Sequence, residues 1–161
     1  MDDAINSLKE ALQFSPDNIP LRLHLAETLV SNHRLDEAEE EFQKILQLDN
    51  QHQKAKIGLA HIFHQKGEYS KCLVILEAFI NAPSATDTEL LVLYAKTLLK
   101  EGSTQQAIEI YKQVLDRDPS FSDEELDSQL KVAPTIEETI EALEDEFANA
   151  DFVQKPTIDL S

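Results

Sequence analysis

Apolar residues in this chain recur at three- and four-residue spacing. No stretch alternates cleanly at period two, so the pattern predicts helices throughout. The pattern also repeats. Residues 23–50, 57–84 and 92–119 align so that Ala26, Ala60 and Ala95 fall at separations of 34 and 35, and Ala38, Cys72 and Ala107 at the same separations. Ala4 lies 34 positions before Ala38, and Pro16 lies 34 before Asn50. A fixed period of this length marks stacked units. Small residues at fixed places mark where two helices cross too closely for a larger side chain. Large apolar residues fill the neighbouring places: Leu25, Leu29, Leu35, Phe42 and Ile45, then Leu59, Phe63, Tyr69, Leu76 and Phe79, then Tyr94, Leu98, Tyr111 and Val114. Each unit reads as two helices and a short turn, near residues 32–34, 66–68 and 101–103. Gly67 and Gly102 suit a helix end with positive φ.

These motifs resemble the tetratricopeptide repeat family. The match is carried by L-A-x2-L with A-x3-F from Leu25 to Phe42, by L-A-x2-F with C-x3-L from Leu59 to Leu76, and by Y-A-x2-L with A-x3-Y closing on Asp118-Pro119. It covers residues 2–121. The resemblance implies an all-α fold, a right-handed α-α superhelix, with a half unit at 2–18 and units at 19–52, 53–86 and 88–121. The half unit matches only the second helix of a unit, through Ala4, Leu8, Ala11 and Pro16. The aromatic residue usual near the start of a unit is replaced by Arg22, Lys56 and Leu91. A one-residue insertion falls in the linker after the second unit.

Charge narrows the partners. Fourteen basic residues face 31 acidic ones, a net of −17 in 161 residues. That argues against nucleic acid and against anionic lipid. No apolar run approaches a membrane span, and the first residues lack the basic-then-apolar order of a signal peptide, so the expected setting is the cytoplasm. Three glycines, none clustered, cannot form a nucleotide-binding loop. No nucleophile, base and orienting group stand together, so a hydrolase is not expected and no cofactor is implied. The single cysteine, Cys72, occupies an alanine place and reads as a packing residue.

The composition changes after Phe121. Residues 122–151 hold 11 acidic residues and one basic residue, Lys131. Ser122-x-x-Glu125 and Thr135-x-x-Glu138 read as capping boxes that start two acidic helices, over residues 122–150. The second carries the apolar stripe Ile136, Ile140, Leu143 and Phe147. An end repeat exposes apolar surface, so these helices are expected to cap the array. The alternative is that the stripe fills a groove. Residues 151–161 read as an extended tail. Lys155 to Ser161 resembles the lead-in to the ATP-binding module of some AAA-family ATPases, which implies a regulatory or adaptor domain as the alternative function.

In the family the first helix of each unit lines a concave surface. Carried over, the lining residues are Leu23, Glu27 and Val30, then Lys54, Ile57, His61 and His64, then Val92, Lys96, Leu99 and Lys100. The implied role is a scaffold that binds a partner protein's peptide or amphipathic helix, with self-association open at the exposed ends. Lys96 and Lys100 give the later half of the groove a positive strip fit for an acidic or amphipathic peptide, unless carboxylates pair with them. The family's carboxylate clamp for chaperone tails is broken, because Leu23, Glu27, Gly58 and Leu93 stand at its places. His61 and His64 share a helix face but have no evident third ligand, so no metal is expected.

The alignment makes one prediction. Ala60→Leu and Ala95→Leu should each overpack a helix crossing and cost about 1–3 kcal/mol. Thermal melts of the two variants check it, and an unchanged melting temperature in both would refute the alignment.

Overall fold

The computed structural model describes residues 2–81, 87–130 and 143–148. The chain forms α1 (Asp2–Phe14), α2 (Ile19–Ser31), α3 (Leu35–Leu48), α4 (Gln53–Gln65), α5 (Tyr69–Ile80), α6 (Thr88–Lys100), α7 (Thr104–Arg117) and α8 (Glu124–Gln129). Residues 143–148 are also helical. No strand occurs among the described residues. Helices α2 and α3, α4 and α5, and α6 and α7 pack as pairs, and each pair packs on the next through α3 with α4 and α5 with α6. The result is an all-α solenoid of the tetratricopeptide type, with α1 stacked on α2 as a lone second helix.

The pairs close where the chain has small side chains. Ala26, Ala38, Ala60, Cys72, Ala95 and Ala107 are all 0% exposed. Ala4, at the corresponding place of α1, is exposed. Two apolar clusters fill the array. One gathers residues from α1 to α6, among them Ile5, Leu25, Leu29, Phe42, Ile45, Ile62 and Leu76. The other gathers Leu91, Leu98, Tyr111 and Val114 with Leu126 and Leu130. Helix α6 feeds both, and Tyr94 packs against both, so the core runs along the stack.

The three turns within pairs are copies of one another. His33, Gly67 and Gly102 have φ of 58°, 76° and 84°. In each turn the next residue's N–H reaches back five residues: Arg34 to the Leu29 carbonyl at 2.9 Å, Glu68 to Phe63 at 2.8 Å, and Ser103 to Leu98 at 2.9 Å. This bond satisfies a carbonyl that the ending helix leaves open. His33 thus does in the first unit what glycine does in the other two. The first helices of the pairs are capped by side chains: Asn18 accepts from Leu21 N–H at 3.0 Å, His52 from Ala55 at 3.2 Å, and Asp87 from Glu89 at 3.0 Å. The second helices begin directly from the tight turn without such a cap.

Arg22, at the place where the family has an aromatic residue, keeps its bulk against the core and turns its charge into an ion pair. Its Nη1 donates to Glu41 at 2.5 Å and its Nη2 to the Pro16 carbonyl at 2.5 Å, and Glu41 takes a second bond from Lys44 at 2.8 Å. Both partners are nearly covered, so loss of either leaves an unpaired charge.

The two acidic helices relate to the array differently. The first one, α8, closes the stack by burying Leu126 and Leu130 on Val114, Tyr111 and Leu98. Its N-cap is Asp123, which accepts from Leu126 N–H at 3.0 Å, whereas Ser122 donates its hydroxyl to Asp127 at 2.6 Å. In the second, Leu143 and Phe147 are 45% and 64% exposed. Ile136, Ile140, the Thr135 capping box and the Lys155–Ser161 phrase lie outside the described residues.

The turn geometry generates the next prediction. A β-carbon at positive φ costs roughly 1 kcal/mol. His33→Gly should therefore raise stability by about that amount, and Gly67→Ala should lower it by a similar amount. Chemical denaturation of the two variants against the wild type measures both signs.

Candidate binding groove

The residues expected to line a groove lie on α2, α4 and α6, the first helices of the three pairs. Two clefts run between these helices. The first, of about 450 Å³, is lined by Glu27, Val30, Ser31, Phe42, Lys54, Ile57, Gly58, His61 and Gln65. The second, of about 500 Å³, is lined by His61, His64, Gln65, Thr88, Glu89, Val92, Leu93, Lys96, Phe121 and Glu125. His61 and Gln65 line both, so the two clefts adjoin along α4 and together make up the trough on this face. Leu23 and Leu99 line neither cleft: each is half-buried against a core cluster. Lys100 sits beyond the second cleft and is held by Glu125.

Several lining residues escape a reading confined to first helices. Phe42 belongs to α3. It reaches the floor because Gly58, on α4, has no side chain: a β-carbon there would meet the Phe42 ring at 2.4–2.7 Å. The lone glycine inside a helical stretch was the available signal. Phe121 and Glu125 come from beyond the third pair, carried in by α8, and only the capping box ahead of Leu126 hinted at them.

The positive strip is absent as a free feature. Lys96 pairs with Asp123 at 2.7 Å and lies 3.8 Å from Glu125, and Lys100 pairs with Glu125 at 2.8 Å. The acids that follow the array have folded back onto its last lysines. Three forces place them there. Leu126 and Leu130 seek the exposed apolar end, Tyr111 donates to Asp127, and the lysines draw Asp123 and Glu125. The Tyr111 ring also meets Phe121 edge-on, with centroids 6.3 Å apart.

Behind the second cleft is a buried polar chain. Thr97 is fully buried and donates its hydroxyl to the Leu93 carbonyl at 2.7 Å. With its one proton spent, Thr97 accepts from His64 Nδ1 at 3.0 Å, and its oxygen lies 3.5 Å from Cys72 Sγ. His64 therefore carries its proton on Nδ1 and keeps Nε2 as an acceptor. Burial pushes the His64 pKa down, opposed by Glu125 and assisted by His61, Lys100 and Lys96. Desolvation of its inner edge also lowers His61, against the pull of Glu89. Both rings are uncharged near neutrality. Burial raises the Cys72 thiol, so this group is a packing element and not a nucleophile. Among the described residues no group of three or more His, Cys, Asp or Glu is arranged to hold a metal ion. No described helix is long and apolar enough to cross a membrane.

An array of paired helices with a lined trough on its first-helix face defines an α-helical repeat protein. The sequence comparisons give the family. Two models described as tetratricopeptide repeat match, one over residues 1–45 and 29–96 and the other over 88–121. The chain belongs to the tetratricopeptide repeat family. No curated protein matches it. Among solved structures, it is similar to MamA 41-end from Desulfovibrio magneticus RS-1, with a TM-score of 0.71 and 20% identity over 92% of this chain and 87% of that one. It is similar to a second MamA structure, with a TM-score of 0.67 and 23% identity over 74% and 70%. It is also similar to YrrB, a TPR protein with an unusual peptide-binding site, with a TM-score of 0.65 and 18% identity over 88% and 71%. At these identities the likeness is one of fold.

The anchoring of α8 makes a pH prediction. Burial, and then the bond to Asp127, pushes the Tyr111 phenol up to about 12. The unfolded chain releases that proton near pH ~10. The resulting stability is complete below about pH 10 and is lost as the pH rises toward 12. In Tyr111→Phe the alkaline fall in melting temperature should be shallower, and the variant should start about 1–3 kcal/mol less stable at neutral pH. Melts across the alkaline range test this, and an unchanged slope would refute it.

Proposed function

We propose that the chain is a protein-protein interaction scaffold that holds a peptide or helix of a partner protein in the trough along α2, α4 and α6. The observation carrying this reading is the pair of clefts that adjoin at His61 and Gln65, with Val30, Phe42, Ile57, Val92 and Phe121 among their lining residues. A trough of this kind offers alternating apolar sockets and polar rims, which is what an amphipathic segment needs. The fold supports it too: tetratricopeptide repeat proteins are generally non-catalytic scaffolds, and YrrB, of the same fold, is described as having a peptide-binding site.

The test is selection of peptides from a displayed random library on the wild-type protein, followed by affinity measurement on two variants. Ile57→Asp with Val92→Asp places charge on the groove floor. Val74→Asp places it on an exposed part of α5, where Val74 is 70% exposed. The selected peptides should bind the groove variant at least about tenfold more weakly, or 1.4 kcal/mol. They should bind the Val74 variant as well as the wild type. Circular dichroism confirms that both variants fold. Peptides indifferent to the groove variant would place binding elsewhere and sink the proposal.

A further inference from the structure

The polar groups that line the trough fall into two sets. Lys96 is engaged by Asp123, and Glu125 by Lys100. These four charges cancel among themselves and offer nothing net to a ligand. The second set enters no ion pair among the described residues: the carboxylates of Glu27 and Glu89, both exposed, and the ammonium of Lys54. Glu27 stands in the first cleft and Glu89 in the second, so a ligand spanning the trough passes both. His61 lines both clefts and feels the charge of Glu89. Around all of this the chain carries a net charge of −17.

The unpaired charges are two carboxylates and one ammonium, a net of −1, and unspent carboxylates are matched by a ligand that brings donors. We infer that the trough is built for a basic amphipathic segment of a partner protein, with apolar side chains on the floor and lysine or arginine side chains toward Glu27 and Glu89. This rests on the trough being the binding site and adds the chemistry of its occupant. Arginine suits the site best, because its planar fork of N–H donors pairs with a carboxylate through two bonds. The overall negative field speeds the approach of such a segment. The same field argues against the chain's own acidic segment as the occupant. Residues 135–148 hold six acids and no base, and the lysines that would have drawn them are already paired.

Two synthetic peptides test the assignment. Both carry the same leucine stripe at helical spacing and are equal in length. One has arginine and lysine at the other positions and the second has glutamate. Binding is measured by fluorescence anisotropy at physiological salt against the full chain. The chain is tested as wild type, as Glu27→Gln with Glu89→Gln, and as Glu10→Gln with Glu109→Gln. The last pair removes the same charge from exposed places on α1 and α7 that line neither cleft. The basic peptide should bind the wild type at least about tenfold more tightly than the acidic one. It should lose about five- to tenfold on the groove pair and less than about twofold on the control pair. Equal loss on the two pairs would mean general attraction to an acidic protein and would overturn the inference. Tighter binding of the acidic peptide, abolished by Ile57→Asp with Val92→Asp, would overturn the charge assignment while leaving the groove as the site. Failure of both peptides to bind would overturn the charge assignment together with the reading of the groove as a peptide site.

Discussion

Each pair of helices meets at alanine, or in one case cysteine, and the close approach this allows sets the geometry of the whole array. A side chain of one or two heavy atoms lets the backbones come near enough for the flanking leucines, phenylalanines and tyrosines to interlock. Because the crossing recurs at a nearly constant interval, each pair is placed on the previous one by the same contact, and the stack propagates. Cys72 shows that volume is what the crossing requires. Its sulfur adds little bulk over a methyl group and points at the Thr97 hydroxyl, where it finds a weak polar partner in an otherwise apolar joint. The exposed Ala4 shows the same rule from the other side. Among the described helices α1 packs chiefly on α2, and the face that carries Ala4 is exposed, so the small residue there has nothing to admit.

A propagating stack needs an end, and this one is made by a short helix with few apolar residues. Helix α8 has six residues and would not hold together alone in water. It is held by two buried leucines, the Tyr111–Asp127 hydrogen bond, and carboxylates laid against Lys96 and Lys100. The surface ion pairs are individually weak. Their effect is more on position than on stability, because they fix the rotation of α8 so that its leucines face Val114. They also change the trough. The lysines that would have made its far end positive are spent on holding the cap.

The sequence made the repeat, the turns and the crossing residues legible because these depend on local constraints that recur. A small residue at a crossing and a glycine at positive φ each have one dominant cause. His33 escaped, since nothing but the comparison of unit with unit marks a histidine as left-handed. The state of Lys96 and Lys100 was not legible, because it depends on where a segment some 25 residues downstream folds back, and charge alone does not say that. The capping role was expected of both acidic helices. A continuous stripe signals that a face is amphipathic without saying what covers it. Leu126 and Leu130 won the end surface because they directly follow the array and reach it with no linker. Phe42 was placed in the core, and its passage over Gly58 to the groove floor requires two helices to be read together.

The register of the repeats says which surface is free to carry function. Ala26, Ala60 and Ala95 are followed by Glu27, His61 and Lys96, which therefore occupy one position in three successive units. The alanines are the same because the crossing permits nothing else. The residues after them are an acid, a neutral ring and a base, although all three line the same trough. Packing that demanded a particular residue there would have imposed it three times, as it does one place earlier. The variation shows that this row is released from the constraint that builds the solenoid. On the proposed reading, what remains to set its chemistry is the partner segment held in the trough, and a row that changes character from unit to unit would read that segment by position.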